Sequence, residues 1–404
     1  MQFNGKYPLT PAEDAAYLLR RVAALILVFA MPLSALVSRR SFSILLPFGV
    51  VLLTFAFCLD MKKQEVSLRL VRFFSKPMVY VLCGFFAWLV LSLPWASFYS
   101  ETWGKVFSLS ATLIFPMLGV LVLPDRIPES LVSNIGLAVA LLGGCAFLID
   151  VFQPFSDSEG ILERVSLILS LFIWPGCACF FLLEKPLYAV ALFLLSVLSI
   201  LWGAFEVPKI LLAIGVLSVG LLYFIPMHRL IRISLYGILG CIFLTPLSLL
   251  ALSGITFILG NFGQHPVFLE IMNWKNLLFE YPSKLFIGHG LGAWQHIHMV
   301  RGLSNAFSPT LLIIIWYDLG FVGAVAHGLI VWSVFRTIRE ISNEVLGAVA
   351  LVAFYVVLTY TYIWSVVDKL WWCSILGALV LAFVAIGRLQ NAITPLKVTF
   401  VPQE

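Results

Sequence analysis

The stretch LVSNIGLAVALLGGCAFLI, residues 131–149, contains no charged side chain and decides the fold class. Coiled as an α-helix rising ~1.5 Å per residue, a run of that length reaches about 28 Å, close to the ~30 Å hydrocarbon core of a bilayer. In lipid every backbone N–H and C=O must be satisfied within the protein, and a helix achieves this inside one uninterrupted segment. The charges stand just outside the run, with Arg126 and Glu129 before it and Asp150 after it.

Working outward from this segment, similar apolar runs fall at residues 22–38, 41–59, 77–97, 106–124, 164–183, 187–204, 209–226, 231–253, 309–334, 344–364 and 370–387. The sequence therefore predicts an all-α polytopic membrane protein of about twelve transmembrane helices, in a single integral membrane domain over residues 1–404. Composition agrees: 61% of the 404 residues are hydrophobic and 11% are charged, too few polar side chains to solvate a water-soluble fold. The net charge of +5 is scattered over short loops, which argues against a nucleic-acid partner. All seven cysteines, including Cys177 and Cys179, lie in apolar runs, where cysteine serves as a small buried hydrophobe. Neither of that pair has a nearby His or Cys to complete a metal site, so no metal or cofactor is expected. Arg20 and Arg21 precede the first apolar run as in a signal peptide, but no small-residue cleavage site follows, and the run reads as a permanent span.

Basic side chains resist translocation, so their distribution among alternate loops sets the orientation. With the N-terminus in the cytoplasm, about sixteen Lys and Arg fall inside and about nine outside, which predicts cytoplasmic termini at both ends. The outward set is Arg39, Arg40, Lys105, Arg164, Lys209, Lys275, Lys284, Arg301 and Lys369. The acidic stretch 150–163 then faces outward, as does one large loop at 254–308 between helices 9 and 10. Within that loop, 268–279 and 294–301 read as short interfacial helices, joined by the glycine-punctuated turn Gly288-His289-Gly290-Leu291-Gly292.

These residue types point toward anion chemistry. Cations from separate outward loops suit an anionic headgroup, because guanidinium and ammonium groups hold phosphate oxygens by charge-assisted hydrogen bonds. Each cation taken singly is better explained by snorkelling to the phosphates of membrane lipid, and only the set points to a site. Four of the six histidines, His265, His289, His296 and His298, lie in the large loop and are candidates for proton transfer near neutral pH. The glycine turn lacks the lysine of a nucleotide-binding loop and is read as a tight turn against the bundle. Asp318 and His327 fall within an apolar run, where an ionisable group is either functional or a polar tie between helices.

The order of these features resembles the O-antigen ligase and lipid-linked polysaccharide polymerase superfamily. The resemblance rests on Pro282, the segment Gly288-His289-Gly290-Leu291-Gly292-Ala293-Trp294, and the run from Ile315-Trp316-Tyr317-Asp318-Leu319-Gly320 to Gly323. The closing stretch Ile363-Trp364 through Leu370-Trp371-Trp372 is similar to alphaproteobacterial members. It implies a metal-independent, inverting glycosyltransferase in a bacterial inner membrane, active on its periplasmic face. The donor would be a glycan on an undecaprenyl diphosphate carrier, and the acceptor a lipid A core sugar or a second carrier-linked glycan.

By the same resemblance, Arg39, Arg40, Lys105, Arg164, Lys209 and Arg301 would bind the diphosphate, and His298 or His296 would act as base. The chain departs from the family at Phe268, where an Arg is usual, and at Pro309-Thr310, where a His-Asn pair is usual. Two other readings are carried forward. One is a non-catalytic relative serving as a subunit of an envelope polysaccharide assembly with other proteins, and the other is a membrane transporter.

Overall fold

The computed structural model describes residues 11–38, 40–60, 63–96, 99–152, 158–258, 266–296, 310–364 and 370–393. Among these residues the regular structure is entirely helical. In chain order the helices are α1 (Pro11–Leu36, its last turns π and 3₁₀), α2 (Ser41–Asp60), α3 (Lys63–Phe74), α4 (Pro77–Leu91), α5 (Tyr99–Val122) and α6 (Glu129–Phe152). There follow α7 (Ser158–Leu182), α8 (Pro186–Trp202), α9 (Glu206–Phe224), α10 (Met227–Ile258), α11 (Pro266–Phe279) and α12 (Lys284–Ile287). The last four are α13 (Leu311–Ile314, continued as a π turn to Leu319), α14 (Gly320–Arg339), α15 (Glu344–Trp364) and α16 (Leu370–Ile393).

Each predicted apolar run falls on one of these helices, except 309–334, which covers α13 and α14. Among the described residues eleven spans are long and apolar enough to cross a bilayer, α13 and α14 counted together. The remaining run, 187–204, forms α8, whose 17 residues reach only about 25 Å at ~1.5 Å per residue. Amphipathic α3 was not among the predicted spans, and its 12 residues suit an interfacial position. Of the two short helices expected in the large loop, the first is α11, and the second is helical over its described part, 294–296.

Local chemistry sets the ends. Proline opens α4 and α8, since its missing N–H is one that no helix start bonds internally. Between α7 and α8 the chain doubles back through Glu184, at φ 58°, with Lys185 N–H donating to the Phe180 carbonyl at 2.9 Å. Asn343 caps α15 by accepting from Leu346 N–H at 2.8 Å.

Helix α7 is the axis of the bundle, with 83% of its apolar span buried and α6, α8, α9, α15 and α16 packed around it. Lipid tails are as apolar as leucine, so helices associate here through close fit and not through exclusion of water. Small residues provide that fit. A methyl group at Gly215 of α9 would stand 2.0 Å from the Trp174 ring on α7, and one at Gly136 of α6 would stand 2.5 Å from the Phe180 ring.

Polar contacts mark the two ends of the bundle. At one, Arg20 pairs with Asp60 at 2.5 Å, Arg69 binds both Asp125 and the Leu123 carbonyl, and Arg388 reaches the carbonyls of Leu123, Pro124 and Val120. This is called the arginine end. The opposite end carries the C-terminal ends of α1, α4, α6 and α8 and the described residues 266–296, and is called the loop end.

The fit at Gly215 yields a direct test. Gly215→Leu should lower the thermal unfolding midpoint in detergent, corresponding to an overpacking cost of ~1–3 kcal/mol. Gly220→Leu on the same helix, where an added methyl meets nothing within 4 Å, should leave the midpoint unchanged.

Candidate functional site

The predicted run 309–334 is not one continuous helix. It coils as a π turn over Ile315–Leu319 and breaks at Gly320, whose φ of 66° and ψ of −162° lie outside helical space. A break strands carbonyls that the next helical turn would have satisfied. Trp316 O keeps its ordinary helical bond from Gly320 N–H, and the stranded carbonyls are met from the loop, Tyr317 O by His289 N–H at 2.9 Å and Asp318 O by Gly290 N–H at 2.9 Å. The Leu319 carbonyl accepts from the Trp88 indole at 3.2 Å.

The carboxylate of Asp318 completes the joint. Only 1% of the residue is exposed, and a buried carboxylate is tolerated only when its oxygens are hydrogen-bonded. Oδ2 accepts from Gly292 N–H at 2.6 Å and Oδ1 from Trp294 N–H at 3.0 Å. The Gly288–Gly292 turn is thus clasped to the broken span, and its alternate glycines are dictated by that fit. They adopt φ values of 75°, 98° and 81° at Gly288, Gly290 and Gly292, where other residues are strained. A methyl at Gly288 would lie 2.1 Å from Asp318 O, and one at Gly290 would lie 2.6 Å from Ala96 Cα. The sequence reading of a tight turn against the bundle matches this geometry. Asp318, expected as a functional group or a tie between helices, instead ties a loop to a helix.

The start of α5 forms the second wall. Thr102 Oγ1 donates to Leu291 O at 3.1 Å, and Lys105 Nζ donates to Gln295 Oε1 at 2.6 Å. The next residue, His296, is 9% exposed. His289 is half-buried, with its ring stacked 4.1 Å from Tyr317 at an 11° interplanar angle. Its Nδ1 lies 2.9 Å from the Tyr317 carbonyl. A carbonyl only accepts, so Nδ1 carries the proton, and the lone pair of the neutral ring is on Nε2. Around the glycine turn the loop end thereby brings Lys105, His289, His296 and the buried Asp318 carboxyl into one backbone framework.

The other expected site residues are placed as follows. Arg40 is exposed ahead of α2, and Lys209 stands 3.7 Å from Glu206 of its own helix. Arg164, near the start of α7, is half-buried with its Nε shielded and unpartnered among the described residues. No hydrogen bond or ion pair among the described residues joins Arg40, Arg164 or Lys209 to the large loop. Lys105 makes such a bond. Arg39, His298, Arg301, His265 and Pro309 lie outside the described residues, and Phe268 falls in α11. His327, the other ionisable group of the run, bonds the Tyr362 hydroxyl at 2.8 Å and ties α14 to α15. Among the described residues no group of three or more His, Cys, Asp or Glu is placed to hold a metal ion.

The sequence reading missed the break at Gly320 and the tautomer of His289. The first had a trace in the Asp318-Leu319-Gly320 order, since glycine is the residue that enters a left-handed joint without strain. Comparison of the chain with protein-family models and with curated proteins gives no match.

The clasp predicts a specific loss. Asp318→Asn retains one acceptor oxygen and turns an NH₂ toward a second donor, a cost of ~1–3 kcal/mol. Trypsin should then cut at Lys284 about 5- to 150-fold faster than in the wild type, that being the local opening this cost permits. Equal cleavage rates would show that the carboxylate does not hold the loop.

Proposed function

We propose that the loop end faces the periplasm of a bacterial inner membrane and transfers a glycan from an undecaprenyl diphosphate carrier to an acceptor hydroxyl. The acceptor is a lipid A core sugar or a second carrier-linked glycan, as in the O-antigen ligase and polysaccharide polymerase superfamily that the motifs resemble. The observation that carries the reading is the bond from Lys105 to Gln295, which fixes an ammonium beside the loop segment bearing His296. The carboxamide orients the ammonium without cancelling its charge, so the cation retains its attraction for phosphate. Lys209 differs, because its partner is the carboxylate of Glu206.

In this reading the acceptor oxygen attacks the anomeric carbon as the bond from that carbon to the carrier diphosphate breaks. The configuration inverts in the single displacement. Lys105 offsets the charge gathering on the departing diphosphate, an electrostatic role that suits a partly dry site. An imidazole takes the acceptor's hydroxyl proton. His296 is the first choice among the described residues, and His298 and Arg301 lie a few residues further along the same segment.

Vesicles holding the purified protein, an undecaprenyl diphosphate-linked glycan and an acceptor glycolipid provide the test. The wild type should release undecaprenyl diphosphate as the acceptor grows. Lys105→Ala and His296→Ala should each slow that release by about 100-fold, the scale of one general base, whereas Lys209→Ala should change it less than about threefold, as expected of an exposed ion pair. Translocation of the carrier-linked glycan with no diphosphate released would favour the transporter. Inactivity of the wild type, joined to stable capture by polysaccharide-assembly proteins, would favour the non-catalytic subunit.

A further inference from the structure

The arginine end holds an apolar chamber that the proposed transfer does not use. It lies between α1, α2, α6, α7 and α16, and has a cavity volume of about 100 Å³. Its walls are formed by side chains such as Leu27, Pro32, Val139, Phe172 and Ala382, and the charged residue among its lining is Arg20. The cause is visible in α1. That helix lies along α2, but it meets α6 through the π turn and the residues after it, Ile26–Leu33. Below that turn α1 stands apart from α6 and α16, and the gap is the chamber.

An unfilled apolar gap of this kind forfeits dispersion contacts along its whole lining. Water does not compensate, since it needs polar partners to occupy a cavity. Lipid is the abundant apolar solvent here. From Arg20 at the mouth to Pro32 at the far end is twelve residues of α1, about 18 Å at ~1.5 Å per residue. One leaflet of a ~30 Å hydrocarbon core is about 15 Å deep, the reach of one acyl chain.

The mouth carries the complementary charge for a headgroup. Arg20 lines it directly, and so do Leu123 and Pro124, whose carbonyls are the acceptors for Arg388, with Arg69 sharing the one on Leu123. Arg20 is thus part of the lining, and the guanidinium groups of Arg69 and Arg388 are bonded to lining residues, while Arg21 and Arg126 are exposed. Asp60, Asp125 and the exposed Glu129 answer them only in part, so the rim keeps an excess of positive charge.

We propose that this chamber is a binding site for one anionic glycerophospholipid of the leaflet at the arginine end. One acyl chain lies along α1 and the phosphate sits among Arg20, Arg69 and Arg388. The site is independent of the glycan-transfer reading, since it lies at the other end of the bundle and involves none of those residues.

The test uses the full-length protein, delipidated in detergent and incubated with vesicles of phosphatidylglycerol or phosphatidylcholine. Lipid retained after gel filtration is then counted by native mass spectrometry. The wild type should retain about one phosphatidylglycerol per chain and at least about fivefold less phosphatidylcholine. Ala382→Phe, which fills the chamber, should abolish retention of both. Arg20→Gln should bring the two lipids to within about twofold of each other while leaving the chamber open. Ala24→Leu, a smaller plug on α1, repeats the first variant should Ala382→Phe fail to elute as a single symmetric peak. Equal retention of the two lipids by the wild type would overturn the headgroup assignment. Undiminished phosphatidylglycerol in a well-folded plugged variant would overturn the site itself.

Discussion

Withdrawing the Asp318 carboxylate almost entirely from solvent, 1% exposed, is the constraint on which the loop end depends. An ionised carboxylate carries a large desolvation penalty unless donors surround it. The donors here are backbone N–H groups of Gly292 and Trp294, and backbone donors can face one residue only when the chain carrying them is held in one shape. That shape requires positive φ at three alternate positions, hence the glycines. A single buried carboxyl group thus specifies the loop conformation, the break in the span beneath it and the approach of α5, whose Thr102 and Lys105 grip the same loop from the other side.

The same accounting of polar groups runs through the membrane-embedded part. Pro246 lies inside α10 and has no N–H to offer the carbonyl four residues earlier. That carbonyl, on Ile242, accepts instead from the Trp316 indole at 2.7 Å. A π turn and a proline-interrupted helix are therefore coupled through one side chain, which places the broken span against α10 at a fixed height. Serine and threonine hydroxyls play the quieter version of this role. Ser199 on α8 donates to the Gly143 carbonyl of α6 at 2.9 Å, so helices without a hydrophobic reason to associate are pinned at defined positions.

How much of this could be read from the sequence follows from what each signal measures. Hydropathy measures transfer into lipid, and lipid is the solvent, so the runs at 131–149 and its counterparts located the helices. The glycine turn was legible as well, because Gly288, Gly290 and Gly292 state a backbone requirement directly. The break at Gly320 left only the trace of a glycine after Asp318-Leu319, since hydropathy weighs side chains and is blind to whether a carbonyl has a donor. Lys105, Arg164 and Lys209 looked alike, each a cation at the start of an apolar run. What separates them is the neighbour, Gln295 for one and Glu206 for another, and no periodicity encodes contact between residues 190 positions apart.

That difference in neighbours also distinguishes two uses of positive charge in the molecule. At the arginine end the guanidinium groups of Arg69 and Arg388 bind backbone carbonyls where α5 ends, at Leu123 and Pro124, and cations near a helix C-terminus are favoured by its dipole. Removing either charge there would leave buried acceptors unmet, so their first duty is to the fold. At the loop end Lys105 is held by a neutral carboxamide beside a glycine turn that is already satisfied by Asp318. The fold's own carboxylate is answered by backbone N–H groups, leaving the ammonium uncommitted to it among the bonds described. A positive charge that is oriented by a neutral partner suits a phosphate that departs in a reaction, whereas arginines already bonded to the fold suit at most a resident headgroup. That is why the transfer reading attaches to Lys105 in preference to the more numerous arginines at the other face.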